Sequence, residues 1–304
     1  MVMSKIVVVG SSNTDMVIKS EHLPAPGETI LGGEFFMNPG GKGANQAVAA
    51  ARLGGDVVFV AKVGDDIFGQ EAVQGFREAG INTDYIATDP EQPSGVATIM
   101  VDNQGENCIA VASGANNALR PEDVDNAMEQ IEGADVLLMQ LETPIETVEY
   151  AAKLGHDKGK TVILNPAPAQ VLSDELLARL DVITPNETEA EILTGTQVET
   201  LEDAQKAAQV LRERDVGTVI ITLGAQGAFV LSDSFSGLVP VRKVNVVDTT
   251  AAGDTFNGAL AVGMARGMDI EAAVAYANKA AAVSVTRMGA QASAPSLDEV
   301  EAED

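Results

Sequence analysis

The chain has 304 residues, enough for one large domain or two ordinary ones, and enough to bury a core without disulfide or metal staples. Lys and Arg number 19 against 45 Asp and Glu, a formal net charge of −26. That balance argues against nucleic acid or an anionic membrane as a partner, since both demand a basic face. The single cysteine, Cys108, excludes an intramolecular disulfide and any zinc site needing two thiolates.

Residues 1–9 carry one Lys and an apolar run too short for a secretory h-region, and no stretch of 18 apolar residues follows. A soluble chain in a reducing, cytoplasmic compartment is expected. Ile6-Val7-Val8-Val9 reads as a buried parallel strand ending at Gly10. Residues 10–15 then lie at its carboxyl end, where open α/β sheets bind ligands. Asn13 and Asp15, two apart, point the same way in extended chain. An amide beside a carboxylate suits neighbouring hydroxyls, as on a sugar; the alternative is an ordinary polar turn.

Residues 16–38 alternate apolar and polar around Pro24, Pro26 and Gly27. Residues 39–47 follow, with Gly40, Gly41, Lys42, Gly43, Asn45 and Gln46, and open a helix that runs on through 48–53. Glycines there admit a ligand to the backbone, and the helix start offers free N–H groups; glycines kept for packing are the competing account. A Walker A loop is excluded, because Phe36 and Gly43 stand where it needs Gly and Ser or Thr. After a strand at 57–60, residues 94–112 read as a hairpin, 96–101 and 108–111 joined by 102–107. With 16–38 it predicts a small β layer over one edge of the main sheet. Cys108, on that hairpin with no His nearby, reads as a buried structural thiol. His22 and His156 are too far apart to suggest a metal site or a triad.

Strands are predicted at 136–139, 161–164, 181–183 and 218–222, with helices at 147–158 and 201–214 between them. This alternation predicts βαβ units and a doubly wound sheet. Asn186 and Glu189, three apart, share a helix face and could position waters around Mg²⁺, or simply complement the helix dipole. Thr222-Leu223-Gly224-Ala225-Gln226-Gly227 forms a glycine-bounded turn able to cover a nucleotide. Val246-Val247 reads as the end of a strand. The small residues from Asp248 to Ala259 then wrap tightly and launch a helix near Gly253, presenting N–H groups to an anion. Asp254, in the first turn, could take a proton from a hydroxyl while those N–H groups hold phosphoryl charge. Residues 251–286 predict two closely packed small-residue helices. The acidic segment 298–304 reads as frayed surface.

Together the loops at 40–47 and 248–258 resemble the two signatures of the phosphofructokinase-B type family of carbohydrate kinases, and the likeness extends from Val7 to Pro295. Segments 138–142, 165–168 and 289–293 are similar to its ribose-phosphorylating members in particular. The resemblance implies one kinase domain over 1–304: a three-layer α/β/α sandwich with a central, mainly parallel sheet and a β lid formed by about 16–38 and 94–112. It implies transfer of the ATP γ-phosphoryl to the 5-hydroxyl of D-ribose. Asn13, Asp15, Gly40, Gly41, Lys42, Gly43, Asn45 and Glu142 would hold the sugar. Asp254 would be the base, with the Ala252 and Gly253 N–H groups as anion hole. Asn186, the turn 222–227, Gly253 and Asn278 would contact ATP; at Asn278 a family member carries His. Glu189 would serve Mg²⁺ through water. A K⁺ site would form from Asp248, Thr250, Ser284, Arg287, Gly289 and Ser293. Small-molecule partners only, and a homodimer through the lids, complete the expectation. The acidity suits a high-salt host, although sugar kinases of ordinary hosts are often acidic as well.

Overall fold

The structure, a computed structural model, describes residues 4–302. In chain order its strands are β1 (Lys5–Val9), β2 (Asn13–Lys19), β3 (Glu34–Gly40), β4 (Asp56–Gly64), β5 (Ile86–Asp89), β6 (Gly95–Val101), β7 (Asn107–Ala112), β8 (Val136–Met139), β9 (Thr161–Leu164), β10 (Val182–Ile183), β11 (Thr218–Thr222), β12 (Ala228–Leu231) and β13 (Ser236–Val239). Nine make one sheet in the order β13-β12-β11-β10-β9-β8-β1-β4-β5, parallel from β5 to β11 and antiparallel at β12 and β13.

The unbroken apolar runs follow from burial on both faces. Val7, Val9, Leu137, Met139, Val162 and Leu164 enter one core with helices Ile145–Asp157 and Leu201–Arg212. Their neighbours Ile6, Val8, Leu138 and Ile163 enter the other, under helices Lys42–Arg52, Ala252–Ala265 and Ile270–Ser284. Close helix packing needs the small residues: a Cβ on Gly258 would sit 2.7 Å from the Gln46 carbonyl oxygen, and one on Gly263 would sit 3.2 Å from Ala273 Cα.

The second sheet runs β3-β2-β6-β7, with β2–β3 and β6–β7 antiparallel and β2–β6 parallel. It begins at Asn13, three residues ahead of the alternating segment, so Asn13 and Asp15 are strand residues on one face. Several expectations are corrected. Cys108 is exposed, because β7 is an uncovered edge strand with all six residues exposed. Val246 and Val247 end no strand. The ladder stops at Val239, Pro240 has no N–H to extend it, and Val247 and Asp248 instead donate to the Val285 carbonyl (2.8 and 3.2 Å). Nor is the acidic tail frayed through 302. Ser296 caps a helix, Leu297–Glu301, that buries Val300. Arg287 bonds Glu299 (3.0 Å), and that contact, with the Ser296 N–H, brings the Glu299 carboxyl down to about 2. Residues 303 and 304 lie outside the described residues. Among the described residues no helix is long and apolar enough to cross a membrane.

Candidate active site

The carboxyl ends of β1, β8, β9 and β10 point toward the starts of helices Lys42–Arg52 and Ala252–Ala265. Gly41, at φ 89°, turns the chain into the first helix, and a Cβ there would meet the Asn13 nitrogen at 2.7 Å. Ala251, in the left-handed region at φ 57°, does the same for the second. Asp254 therefore stands as the third residue of the first turn, buried. Its Oδ2 accepts from the Asn45 amide (2.9 Å) and its Oδ1 from the Gln46 amide (3.0 Å). Burial raises the Asp254 carboxyl above the ordinary aspartate range, against the pull of Lys42 and both amides.

Around it the expected sugar-side residues converge. Glu142 Oε2 accepts from the Ser11 hydroxyl (2.5 Å) and the Lys42 N–H (2.9 Å), and the Gly43 N–H donates to Ser11 Oγ (3.3 Å). The Asp15 carboxylate lies where a Cβ on Gly40 would be, 2.3–2.5 Å away. Burial, then Glu142 and Asp254, push the Asp15 carboxyl up to about 6. Burial pulls the Lys42 ammonium down, but Asp254, Glu142 and Glu189 outweigh it and hold it above its usual value. Asn45 Oδ1 is buried without a partner. A buried carbonyl oxygen left unpaired is costly, and a ligand hydroxyl would satisfy it.

The nucleotide-side residues lie along the next strand ends. Asn186 and Glu189 form a reciprocal cap: Asn186 Oδ1 accepts from the Glu189 N–H (2.8 Å) and Glu189 Oε2 from the Asn186 N–H (2.9 Å). Burial raises the Glu189 carboxyl, despite the Asn186 bond and Lys42. Asn186 also bridges Thr222, which leads into the turn closed by Leu223 N–H to the Gly227 carbonyl (2.8 Å). Gly224, Ala225 and Gln226 are exposed on that turn. A Cβ on Gly227 would strike the Val239 carbonyl at 2.2 Å, so only glycine fits. Asn278 stands behind it, its amide nitrogen donating to the same carbonyl (2.9 Å). Its amide donor therefore braces the turn. Arg242, Lys243, Val244, Asn245, Val247 and Thr286 frame an open depression of about 560 Å³ nearby, two cations in an acidic chain. A second cavity, about 440 Å³, lies behind the root of β2 and β3 and touches only Asn13 and Gly40 of these residues.

One expected anion-hole donor is displaced. The Ala252 N–H donates to the Thr249 carbonyl (3.2 Å), because left-handed Ala251 closes a turn there. Gly253 is exposed and nothing lies within 4 Å of where its Cβ would be. Asp248 gathers the neighbouring loop: Oδ1 accepts from the Thr250 N–H and hydroxyl (2.9 and 2.6 Å), Oδ2 from the Gly289 N–H (2.9 Å). Ser284 accepts at its carbonyl from the Arg287 N–H (3.3 Å), and Ser293 Oγ donates to the Ala290 carbonyl (2.8 Å).

Ser11, Gln46, Asn116, Gln140, Asn165, Thr184 and Asn257 join the site without an individual role expected from the sequence. Asn116 clamps the entry to β2, bonding the Ser12 backbone (2.8 and 3.0 Å) and Asn13 Oδ1 (2.8 Å). Gln140, Asn165 and Thr184 are the first residues after β8, β9 and β10. A polar residue directly after each apolar run was the signal available.

A model of the pfkB family of carbohydrate kinases matches residues 3–297. The chain is 47% identical over 294 residues to the ribokinase of Haemophilus influenzae, covering 97% of this chain and 96% of that one. It is 41% identical over 295 residues to a deoxyribokinase of Salmonella typhi, covering 97% and 96%. A structure of Arabidopsis thaliana ribokinase complexed with ribose and ATP superposes with a TM-score of 0.93 at 33% identity, covering 99% of this chain and 98% of that one. Family match and fold agree over essentially the whole described chain: it belongs to the pfkB family of carbohydrate kinases.

Proposed function

We propose that the protein transfers the γ-phosphoryl of ATP to the 5-hydroxyl of D-ribose, giving D-ribose 5-phosphate and ADP. The observation that carries this reading is the buried Asp254 carboxylate, set at a helix start beside Asn45, whose own buried carbonyl oxygen has no partner. Asn13, Asp15, Lys42, Asn45, Glu142 and the backbone at 40–43 offer a donor and acceptor set matched to a ring of hydroxyls. None of these residues is aromatic, as stacking on a nucleoside base would require. As the sugar oxygen attacks the γ-phosphorus, Asp254 takes its proton and the bond to the β-phosphate oxygen breaks, releasing ADP. A raised carboxyl is the better base for that step. The open space over Gly253 at the positive helix end receives the developing phosphoryl charge.

For Mg²⁺, Asn186 and Glu189 fit a role through water, since the one side-chain oxygen of Asn186 and one of the two of Glu189 already serve the cap. Bound there, Mg²⁺ would offset phosphate charge. For K⁺, Asp248 supplies one carboxylate, and Thr250, Ser284, Arg287, Gly289 and Ser293 can supply neutral oxygens, a set suited to a weakly hydrated monovalent ion. K⁺ would stiffen the 248–253 loop. A cytoplasmic homodimer, joined through a small sheet that closes over the sugar, completes the reading. Turnover of ribose, deoxyribose, fructose and adenosine with ATP tests it: ribose should show the highest kcat/KM. Preference for deoxyribose would reassign the sugar, and preference for adenosine or fructose would overturn the reading.

A further inference from the structure

We propose that Gln46 is a positioning residue that decides which oxygen of Asp254 accepts the proton: it ties Oδ1 into the core and leaves Oδ2, shared with Asn45, to meet the acceptor hydroxyl. The inference rests on the reading of Asp254 as the base of sugar phosphorylation.

Gln46 is fully buried, and apart from Asn45 every other residue from Gly43 to Ala50 of that helix is a buried glycine, alanine or valine. An amide in such a place is unfavourable unless all its polar atoms are paired. Its Nε2 donates to Asp254 Oδ1 and to Asn165 Oδ1 (both 3.0 Å), and its Oε1 accepts from Gln140 Nε2 (2.6 Å). An ionised carboxylate only accepts, so the amide has one permissible orientation, with its oxygen toward Gln140, whose own Oε1 is buried without a partner. The chain of bonds continues. Asn165 Nδ2 donates to the Thr184 carbonyl (3.3 Å), the Thr184 hydroxyl to Asn257 Oδ1 (2.6 Å), and Asn257 Nδ2 to the Gly253 carbonyl (2.8 Å). It thus returns to the residue before the base. Both Asp254 and the Gly253 carbonyl just before it are held by one network spanning the ends of β8, β9 and β10.

The two carboxylate oxygens are therefore unequal. Oδ1 is engaged by a donor with no exposed atom. Oδ2 is engaged by Asn45, whose unpaired oxygen marks the side where a ligand is wanted. Without Gln46 the carboxylate could rotate about χ2, and a reacting group displaced by about 1 Å costs roughly 10²-fold in rate.

Gln46→Met keeps length and apolar bulk and removes the donor. Relative to wild type it should lose roughly 10–100-fold in kcat, with the ribose Kd by calorimetry changed less than about threefold. The acid limb of its kcat–pH profile should move to higher pH, because a donor that favours the carboxylate is gone while Lys42, Asp15, Glu142 and Glu189 remain. A merely structural role would lower Tm and the active fraction without moving the limb. Gln140→Met, which loosens Gln46 without touching Asp254, should show a smaller loss of the same kind, and answers the question if Gln46→Met does not fold. Wild-type kcat in both variants, or loss confined to ribose Kd, overturns the proposal. Absence of ribose turnover in the wild type overturns the functional reading instead.

Discussion

The root of the site and the sheet beside it are built on opposite principles. At the root, Asp254, Gln46, Asn165, Thr184 and Asn257 are all buried, and their amides and hydroxyl are joined to one another at the carboxyl ends of parallel strands. In the small sheet β7 is exposed along its whole length, and apolar side chains stand in solvent on both faces: Ile109 and Val111 on the face of Asp15, Phe35 and Met37 on the other. The small sheet therefore has no single apolar face. The difference teaches where each task can reside. A base must be held within a fraction of an ångström, which a packed scaffold does. The cover proposed for the sugar would have to move, and a sheet with an edge strand exposed along its whole length can.

The largest effect is expected at the root. Asp254→Asn keeps the shape and removes the carboxylate proposed as base, its amide oxygen replacing only one of the two acceptors that Asn45 and Gln46 now bond. It should lose ~10²–10⁴ in kcat with ribose binding retained, measured by coupled assay and calorimetry. Near wild-type turnover would mean that the buried network serves stability alone.

The next test lies between the two regions, at the 248–253 loop. Kinase activity in KCl, CsCl and NaCl at matched ionic strength should be highest with K⁺ by several-fold, and Asp248→Ala should level the three. Equal rates in all salts for the wild type would show that the loop needs no ion to aim its N–H groups.

For the small sheet, the expected effect is on assembly and sugar affinity rather than chemistry. Apolar residues exposed on a sheet can be covered by a second copy. Sedimentation at micromolar protein should show a dimer, and Ile109→Asp should shift it toward monomer and raise the sugar KM with kcat little changed. A wild-type monomer would overturn the proposed dimer.

Much of this was legible in the chain, for reasons that differ by region. The parallel sheet could be read because strands buried on both faces are continuous apolar runs, as at 6–9 and 136–139. The two glycine-rich helix starts could be read because only small residues let a backbone face a ligand. Gln46, Asn165 and Asn257 gained no role because a buried amide and a surface amide look alike in sequence. Their meaning depends on residues 119 and 73 positions away that pair with them. Val246 and Val247 misled because a β-branched pair signals a strand only if a neighbour is free to pair, and Pro240 had already ended the ladder. Cys108 misled for the complementary reason: its strand exists, but nothing covers it.

The finest comparison is between Asp15 on the sheet and Asp254 at the root, two raised carboxyls with different compensation. Asp254 has two amide donors; for Asp15 burial and the like charges of Glu142 and Asp254 leave the carboxyl at about 6, against 3.8 for an ordinary aspartate. Between those values the folded chain holds a proton that the unfolded chain has released. Stability from this group therefore falls as pH rises through that window, and the cost is complete above it. Asp15→Asn removes the charge, so the ligand-free variant should melt higher than wild type at pH 8, by roughly 2–4 °C after allowance for partial solvent screening. At pH 4, where wild-type Asp15 is already protonated when folded, the gain should vanish. If Asp15 holds the sugar as proposed, the same substitution should also weaken ribose binding. A Tm gain of equal size at both pH values would mean that Asp15 is not held charged at a cost, and that the sheet stores no such strain for the sugar to relieve.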